Sequence, residues 1–361
     1  MQIRKVRRWR LSGILPSTLP ALVVLAVGCE KAPEAPAVEK VAEEAEKKVE
    51  QVVAKVQPGA KATVDELAKK AEQLEHVKTS LVALEKDVAA ESERWTTNLV
   101  ASTKKLAATK FDSPGAAIEA ALKSEHRAPG NADRDAARHP LETLQFLGLT
   151  PQSRVVEMGV GGGWYTEVLA PVVAKNGQLI LGTFDPKGAD DSMLTVYGRR
   201  QAALLDRSPD LFGNAKQFRL GEEKLTIGDS GSADLVLAIR EMHNWERFGN
   251  TEKYLAAVVD VLEPGGVFGV VQHRAAEGAK ASESAQKGYL PEAWVIEKVE
   301  AAGLKLASKS EVNANPKDTK DYEKGVWTLP PNYRLGDEDK AKYTAIGESD
   351  RMTLRFEKPK G

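Results

Sequence analysis

The residues most able to do chemistry in this 361-residue chain gather around one stretch, "RVVEMGVGGGWYTEVLAP" at 154–171. Apolar β-formers lead to an acid, Glu157, and then to Gly159, Gly161, Gly162 and Gly163. Glycines between a strand and a helix let a ligand approach backbone amides at the helix N-terminus. The dinucleotide fingerprint G-x-G-x-x-G fails here: counted from Gly159, its last position is Trp164. Nor does that fingerprint call for an acid at the end of the strand, where Glu157 stands.

Other polar residues lie at or after the ends of the later strand-like runs. Asp185 closes the next apolar run, 28 positions after Glu157. Glu222 follows the third, with Glu223 and Asp229 as alternatives for any role that the resemblance described below assigns there. Histidine suits proton transfer near neutral pH. Three of the five histidines lie near the ends of strand-like runs or at the entry to the domain: His243 in "REMHNW", His273 closing "VFGVVQH", and His139 in "ADRDAARHP". For each, the alternative is a histidine satisfied by a backbone carbonyl or capping a helix, and at His273 that alternative is preferred. No H-x-x-x-H or cysteine pair supports a metal site, so none is predicted. Arg134 and Arg138 lie one helical turn apart and could hold a carboxylate of cofactor or substrate; a solvated face paired with Asp133 and Asp135 is the alternative. Trp164, Tyr165 and Trp245 either wall a pocket or pack the domain.

The elements that must position these residues alternate. Strands are predicted at 153–158, 178–185, 216–220, 233–240, 267–273, 304–312 and 351–358. Helices are predicted at 164–175, 251–262 and 291–303, and Pro264-Gly265-Gly266 is predicted as a turn. "ADLVLAIR" at 233–240 is apolar throughout, as a strand covered by helices on both faces must be. The alternation predicts an α/β fold with a doubly wound, mostly parallel sheet, which binds ligands beyond the carboxyl ends of its strands. The segment from about 313 to 350 is too long for a plain connector and is expected to fold over the substrate, with Tyr322 and Trp327 as contacts.

Glu157-x-Gly159-x-Gly161-x-Gly163 resembles motif I of the class I S-adenosylmethionine-dependent methyltransferases. "GEEKLTIGDSGSADLVL" (221–237) and "LEPGGVFGVV" (262–271) resemble that family's later segments, and the likeness covers roughly 130–361. More narrowly, "GGGWYTEVLAP", "MHNW" and "NANPKDTKDY" look like a bacterial group of predicted methyltransferases of unsettled substrate. The resemblance implies a seven-stranded Rossmann-like methyltransferase fold closed by an antiparallel hairpin, with S-adenosyl-L-methionine as cofactor. It also implies roles. Glu157, Gly159, Gly161 and Gly163 would form the cofactor turn, with Glu157 near the ligand's ammonium. Asp185 would take the ribose diol and Glu222 the adenine amino group. In such a site His243 is the first candidate for a catalytic base and His139 the second.

The N-terminal third reads differently. Residues 1–28 carry five basic residues, no acid and the apolar "LPALVVLAVG", as an export signal does. Cys29, the only cysteine, follows small residues in "AVGC", which resembles a bacterial lipobox with Ala26 where leucine is usual. The expectation is a lipid-anchored protein of the cell envelope, facing the periplasm or the exterior. Removing the signal takes the net charge from −1 to −1 − 5 = −6, which leaves no basic surplus for nucleic acid. "EKAPEAP" is a linker. Valines and alanines from Val38 to Val56 recur at helical spacing, and Leu67, Ala71, Leu74, Leu81, Leu84 and Val88 form a second stripe. Residues 29–112 are therefore expected to be linker and helical or coiled-coil stalk, able to self-associate, ahead of a methyltransferase domain at 113–361. The reading preferred is a methyltransferase acting on a small-molecule or envelope acceptor. The alternative is a non-catalytic ligand-binding lipoprotein that keeps the fold, and a purely structural envelope lipoprotein ranks last.

Overall fold

The computed structural model describes residues 64–360. The signal, Cys29, the linker and the stripe at 38–56 lie outside the described residues. Seven strands form one sheet: β1 (Arg154–Glu157), β2 (Gln178–Thr183), β3 (Lys216–Arg219), β4 (Ala233–Ile239), β5 (Leu262–His273), β6 (Lys305–Ser310) and β7 (Arg351–Glu357). Their order is β3-β2-β1-β4-β5-β7-β6. β1 to β5 run parallel, and β7 lies antiparallel between β5 and β6. This is the doubly wound, mostly parallel sheet that the alternation predicts, closed by the antiparallel hairpin that the resemblance implies. The winding reverses between β1 and β4, which places a crevice at their carboxyl ends.

Each central strand feeds two cores, because successive side chains point to opposite faces. Val156, Val236, Ala238, Phe268 and Val270 join one core with helices Thr251–Val261 and Glu292–Ala301. Val155, Leu235, Leu237, Ile239 and Val271 join the other with helices Pro114–Leu122, Pro140–Leu147 and Thr166–Val173. β4 is apolar throughout for this reason. Most predicted boundaries lie within a residue or two of those observed. One differs in kind: Pro264-Gly265-Gly266 lies inside β5 as an irregularity in its pairing with β4. The Gly265 amide donates to the Lys358 carbonyl at 2.9 Å and the Lys358 amide to the Gly266 carbonyl at 2.9 Å, so β7's end ladder absorbs the turn.

The second N-terminal stripe also behaves differently from a projecting stalk. Helix Val64–Arg94 uses Val77, Leu81 and Leu84 against Met193 and Val196 of helix Met193–Leu205. Val77 stands in the gap of the predicted stripe, whereas Ala71 and Val88 are exposed. Arg94 fixes the helix end by donating to the Glu125 carbonyl at 2.6 Å and the His126 carbonyl at 3.0 Å. Helix Thr97–Ala108 follows with Leu99 and Thr103 buried. The packed unit therefore starts well before the expected boundary at 113. Among the described residues no helix is long and apolar enough to cross a membrane.

Candidate functional site

The glycine turn lies beyond the carboxyl end of β1. Glu157, the last residue of the strand, is 3% exposed. Its Oε2 accepts from the Thr166 hydroxyl at 2.6 Å, which ties the strand end to the helix Thr166–Val173 across the turn. Loss of water pushes the Glu157 carboxyl up to about 8; the Thr166 bond opposes this and the nearby Glu241 adds to it. Gly161 (φ 55°) and Gly163 (φ 89°) take left-handed backbone. A Cβ at Gly163 would run into the Leu204 side chain, while Gly161 and Gly162 border open space. A Cβ at Gly159 would lie 2.7–2.9 Å from the Glu241 side chain.

Glu241, which stands inside "REMHNW" and was not singled out from the sequence, joins the candidate site. It follows β4, and Arg240 before it is held at φ 60°, where a non-glycine residue is strained. Burial lifts the Glu241 carboxyl to about 7, against a hydrogen bond from Asn244 and the attraction of Arg240. An acid just past a second central strand, in the place Glu157 holds on the first, was the available signal. The result is two carboxylates, Glu157 and Glu241, that share one water-poor place beside the glycine turn.

His243 is buried in helix Met242–Arg247. Its Nδ1 meets Gln272 at 3.4 Å, and its ring stands edge-on to His273 and to Trp327, with centroids 5.8 Å and 6.1 Å away. Burial lowers its pKa to about 4, so it is neutral at pH 7 and a weak base. His273 sits 2.5 Å from the Ser349 hydroxyl through Nδ1, and burial and the neighbouring His243 lower its pKa as well. His139 adopts left-handed backbone (φ 41°) between two helices, and its buried Nδ1 has no hydrogen-bond partner. Asp185 is exposed two residues past β2, with Oδ1 accepting from the Lys187 amide at 2.9 Å as in an ordinary loop turn. Glu222 is exposed after β3. The structure thus gathers Glu157, the glycines, His243 and His273 at one edge of the sheet and leaves Asp185 and Glu222 solvated on loops of that edge.

The aromatic and arginine candidates divide. Trp164 packs edge-on against Tyr165 at 4.7 Å and donates to the Asn131 carbonyl at 2.8 Å. Arg138 lies 4.8 Å over the Trp164 ring and is bonded to Glu348. The expected partner Asp135 instead holds Arg127, at 2.6 Å and 2.8 Å. In the long segment, Trp327 reaches His243, but Tyr322 packs with Leu329 and Tyr343 in a small core of its own. A groove of about 550 Å³ by Arg94 and Glu125 and another of about 310 Å³ by Ser113 and Gln145 lie away from the glycine turn. Among the described residues no group of three or more His, Cys, Asp or Glu is placed to hold a metal ion.

No protein family's sequence profile matches the chain, and no curated protein matches it. Solved structures do resemble it. A SAM dependent methyltransferase from Aquifex aeolicus is 16% identical over 69% of this chain and 99% of its own, with a TM-score of 0.39. A methyltransferase from Mesorhizobium loti is 14% identical over 62% and 99%, at 0.40. A geranyl diphosphate methyltransferase in complex with SAM is 14% identical over 66% and 94%, at 0.40. At such identities and scores these likenesses carry no argument about activity, and the doubly wound architecture rests on the strand order itself.

Proposed function

We propose that the domain is an S-adenosylmethionine-dependent methyltransferase acting on a small-molecule or envelope acceptor, held at a membrane through a lipidated Cys29. The observation that carries this reading is the carboxylate pair Glu157 and Glu241 at the glycine turn, at the point where the sheet reverses. Two acids with raised pKa values and, among the described residues, no cation bonded to them suit a positively charged ligand, which would offset the repulsion between them. The residues present therefore fit the cofactor: Glu157 would meet its ammonium, Gly161 and Gly162, which border open space, would admit its methionine part, and Asp185 and Glu222 would reach its sugar and base from the loops. When bound there, the cofactor supplies an activated methyl group for in-line transfer. The chain's own part is to position the acceptor, exclude water and take a proton. Glu241, raised to about 7 and lying against the turn, suits proton acceptance at neutral pH better than His243, lowered to about 4. His243 then serves as part of the wall with Trp327.

One feature favours the alternative, a binding module without turnover. The Glu241 side chain lies against Gly159, where the ligand must approach. The test is calorimetric titration of S-adenosylmethionine into the full-length protein beside Glu157→Gln, with NAD as control ligand. Binding by the wild type that the variant weakens at least tenfold, and no NAD binding, is expected. A folded protein that binds no S-adenosylmethionine would sink the cofactor assignment.

A further inference from the structure

On the β4–β7 side of the glycine turn lies a group of arginines that the reading above does not use. Arg240 follows β4, Arg351 opens β7, and Arg138 arrives from the segment before helix Pro140–Leu147. They converge because the Arg240 amide donates to the Val271 carbonyl of β5 at 2.7 Å, while Arg351 pairs in register with His273 at that strand's end. Arg138 is 2% exposed and Arg351 3%. One carboxylate serves them: Glu348 accepts from Arg138 Nε at 3.0 Å and 3.1 Å, and from Arg351 Nη1 at 2.8 Å. Arg240 forms no ion pair among the described residues, and its neighbour Glu241 is hydrogen-bonded by Asn244 instead.

Three guanidinium charges thus share one paired carboxylate, Glu348, with Glu241 within electrostatic reach of Arg240. Arg240 loses part of its basicity to burial and to repulsion by Arg138, down to about 9. Several donors are left over: the Arg138 Nη1 and Nη2, Arg240 Nε and Arg351 Nε atoms are buried and have no hydrogen-bond partner among the described residues. Buried donors are nearly always paired, and an uncompensated buried charge is strongly unfavourable. Guanidinium forks match the planar or tetrahedral oxygens of carboxylate and phosphate groups. Arg134, one helical turn before Arg138, adds a fourth positive charge to the same field.

We propose that Arg138, Arg240 and Arg351 form a binding site for an oxyanion, a carboxylate or a phosphate, carried by the acceptor molecule. The oxyanion site stands on the unpaired donors; its assignment to the acceptor rests on the methyltransferase reading. The acceptor is thereby an acidic compound, anchored by its charge over β4 and β7, with its reacting atom directed toward the glycine turn. The cofactor's own carboxylate is the other source of the same chemistry.

Inorganic phosphate titrated into the full-length protein at constant ionic strength, followed by calorimetry and thermal unfolding, separates these. Saturable binding that raises the unfolding temperature is expected, weakened about tenfold or more in Arg240→Gln. Arg240→Gln should also raise the unfolding temperature of the anion-free protein, because it removes a half-buried charge that Arg138 and Arg351 repel; a merely structural arginine would lower it. Arg240 carries the test even if Arg138→Gln fails to fold. No saturable binding by the folded wild type, or binding equal in Arg240→Gln, overturns the site. Displacement of phosphate by S-adenosylmethionine overturns the acceptor assignment in favour of the cofactor carboxylate, whereas simultaneous binding supports it. Phosphate uptake through Arg240 without any affinity for S-adenosylmethionine keeps the oxyanion site and removes the methyltransferase reading alone.

Discussion

At neutral pH the Glu157 carboxyl, pushed up to about 8, holds a proton that the same side chain would release in the unfolded chain near 4.5. Between those two values the native state binds more protons than the unfolded one, so this group makes stability fall as pH rises, by up to about 1.4 kcal/mol per pH unit. Below 4.5 and above 8 it contributes no slope. Glu241 adds to the fall up to its own value of about 7. His243, lowered to about 4, tilts the other way below its ordinary 6.5, so wild type and variant must be compared at each pH. Urea unfolding of Glu157→Gln at pH 5, 6.5 and 8 should show a flatter pH dependence than wild type, and greater stability than wild type at pH 8. Gln keeps the acceptor for Thr166, so the change isolates the charge. Parallel pH profiles would mean that the Glu157 carboxylate is better solvated than its burial implies. Glu157 and the glycines were legible because they sit on a local strand-turn-helix pattern. Arg240, Glu348 and Arg351 were not: Arg138 and Glu348 meet across 210 positions of chain, and no spacing rule reaches that far.

At the scale of elements, strands with two buried faces announce themselves as apolar runs, and β1, β2, β4 and β5 did so. The Pro-Gly-Gly triplet in β5 misled because a turn signal is local, whereas the hydrogen bonds to Lys358 that draw it into the strand come from the far end of the chain. The N-terminal helix misled in a related way. An apolar stripe states that a face will be covered and leaves open what covers it. Here Val77, Leu81 and Leu84 meet Met193 and Val196, so the partner is the sheet domain. Leu84 is 7% exposed in a small cluster, and Leu84→Ala should destabilise the domain by about 2 kcal/mol, the low end for a buried leucine. Chemical denaturation measures the loss, and size exclusion should show an unchanged oligomeric state. A variant that changes its oligomeric state with no loss of domain stability would instead return this stripe to a self-associating stalk.

For the molecule as a whole, the two ends of the reading pull on each other. The charge pattern at the carboxyl ends of the strands, acids at the glycine turn and arginines beyond it, matches the cationic cofactor and acidic acceptor proposed above. If the basic, apolar segment before Cys29 exports the chain, the cofactor has to reach the site outside the cytoplasm. Thirty-five positions separate Cys29 from Val64, where the docked helix begins, and such a span reaches at most about 120 Å when fully extended. A lipid on Cys29 would therefore confine the site to a shell near the membrane without fixing its orientation, which suits an acceptor that is itself anionic and membrane-associated. A single acyl chain binds membranes only marginally, so a stable anchor requires more than one chain on the cysteine. Metabolic labelling with a clickable fatty acid should mark the wild type and leave Cys29→Ser unlabelled and released from the membrane fraction. Affinity for S-adenosylmethionine should be the same in both, because Cys29 is not among the residues of the glycine turn. Equal labelling of the two proteins would remove the anchor, and with it the reason to look for the acceptor in the envelope.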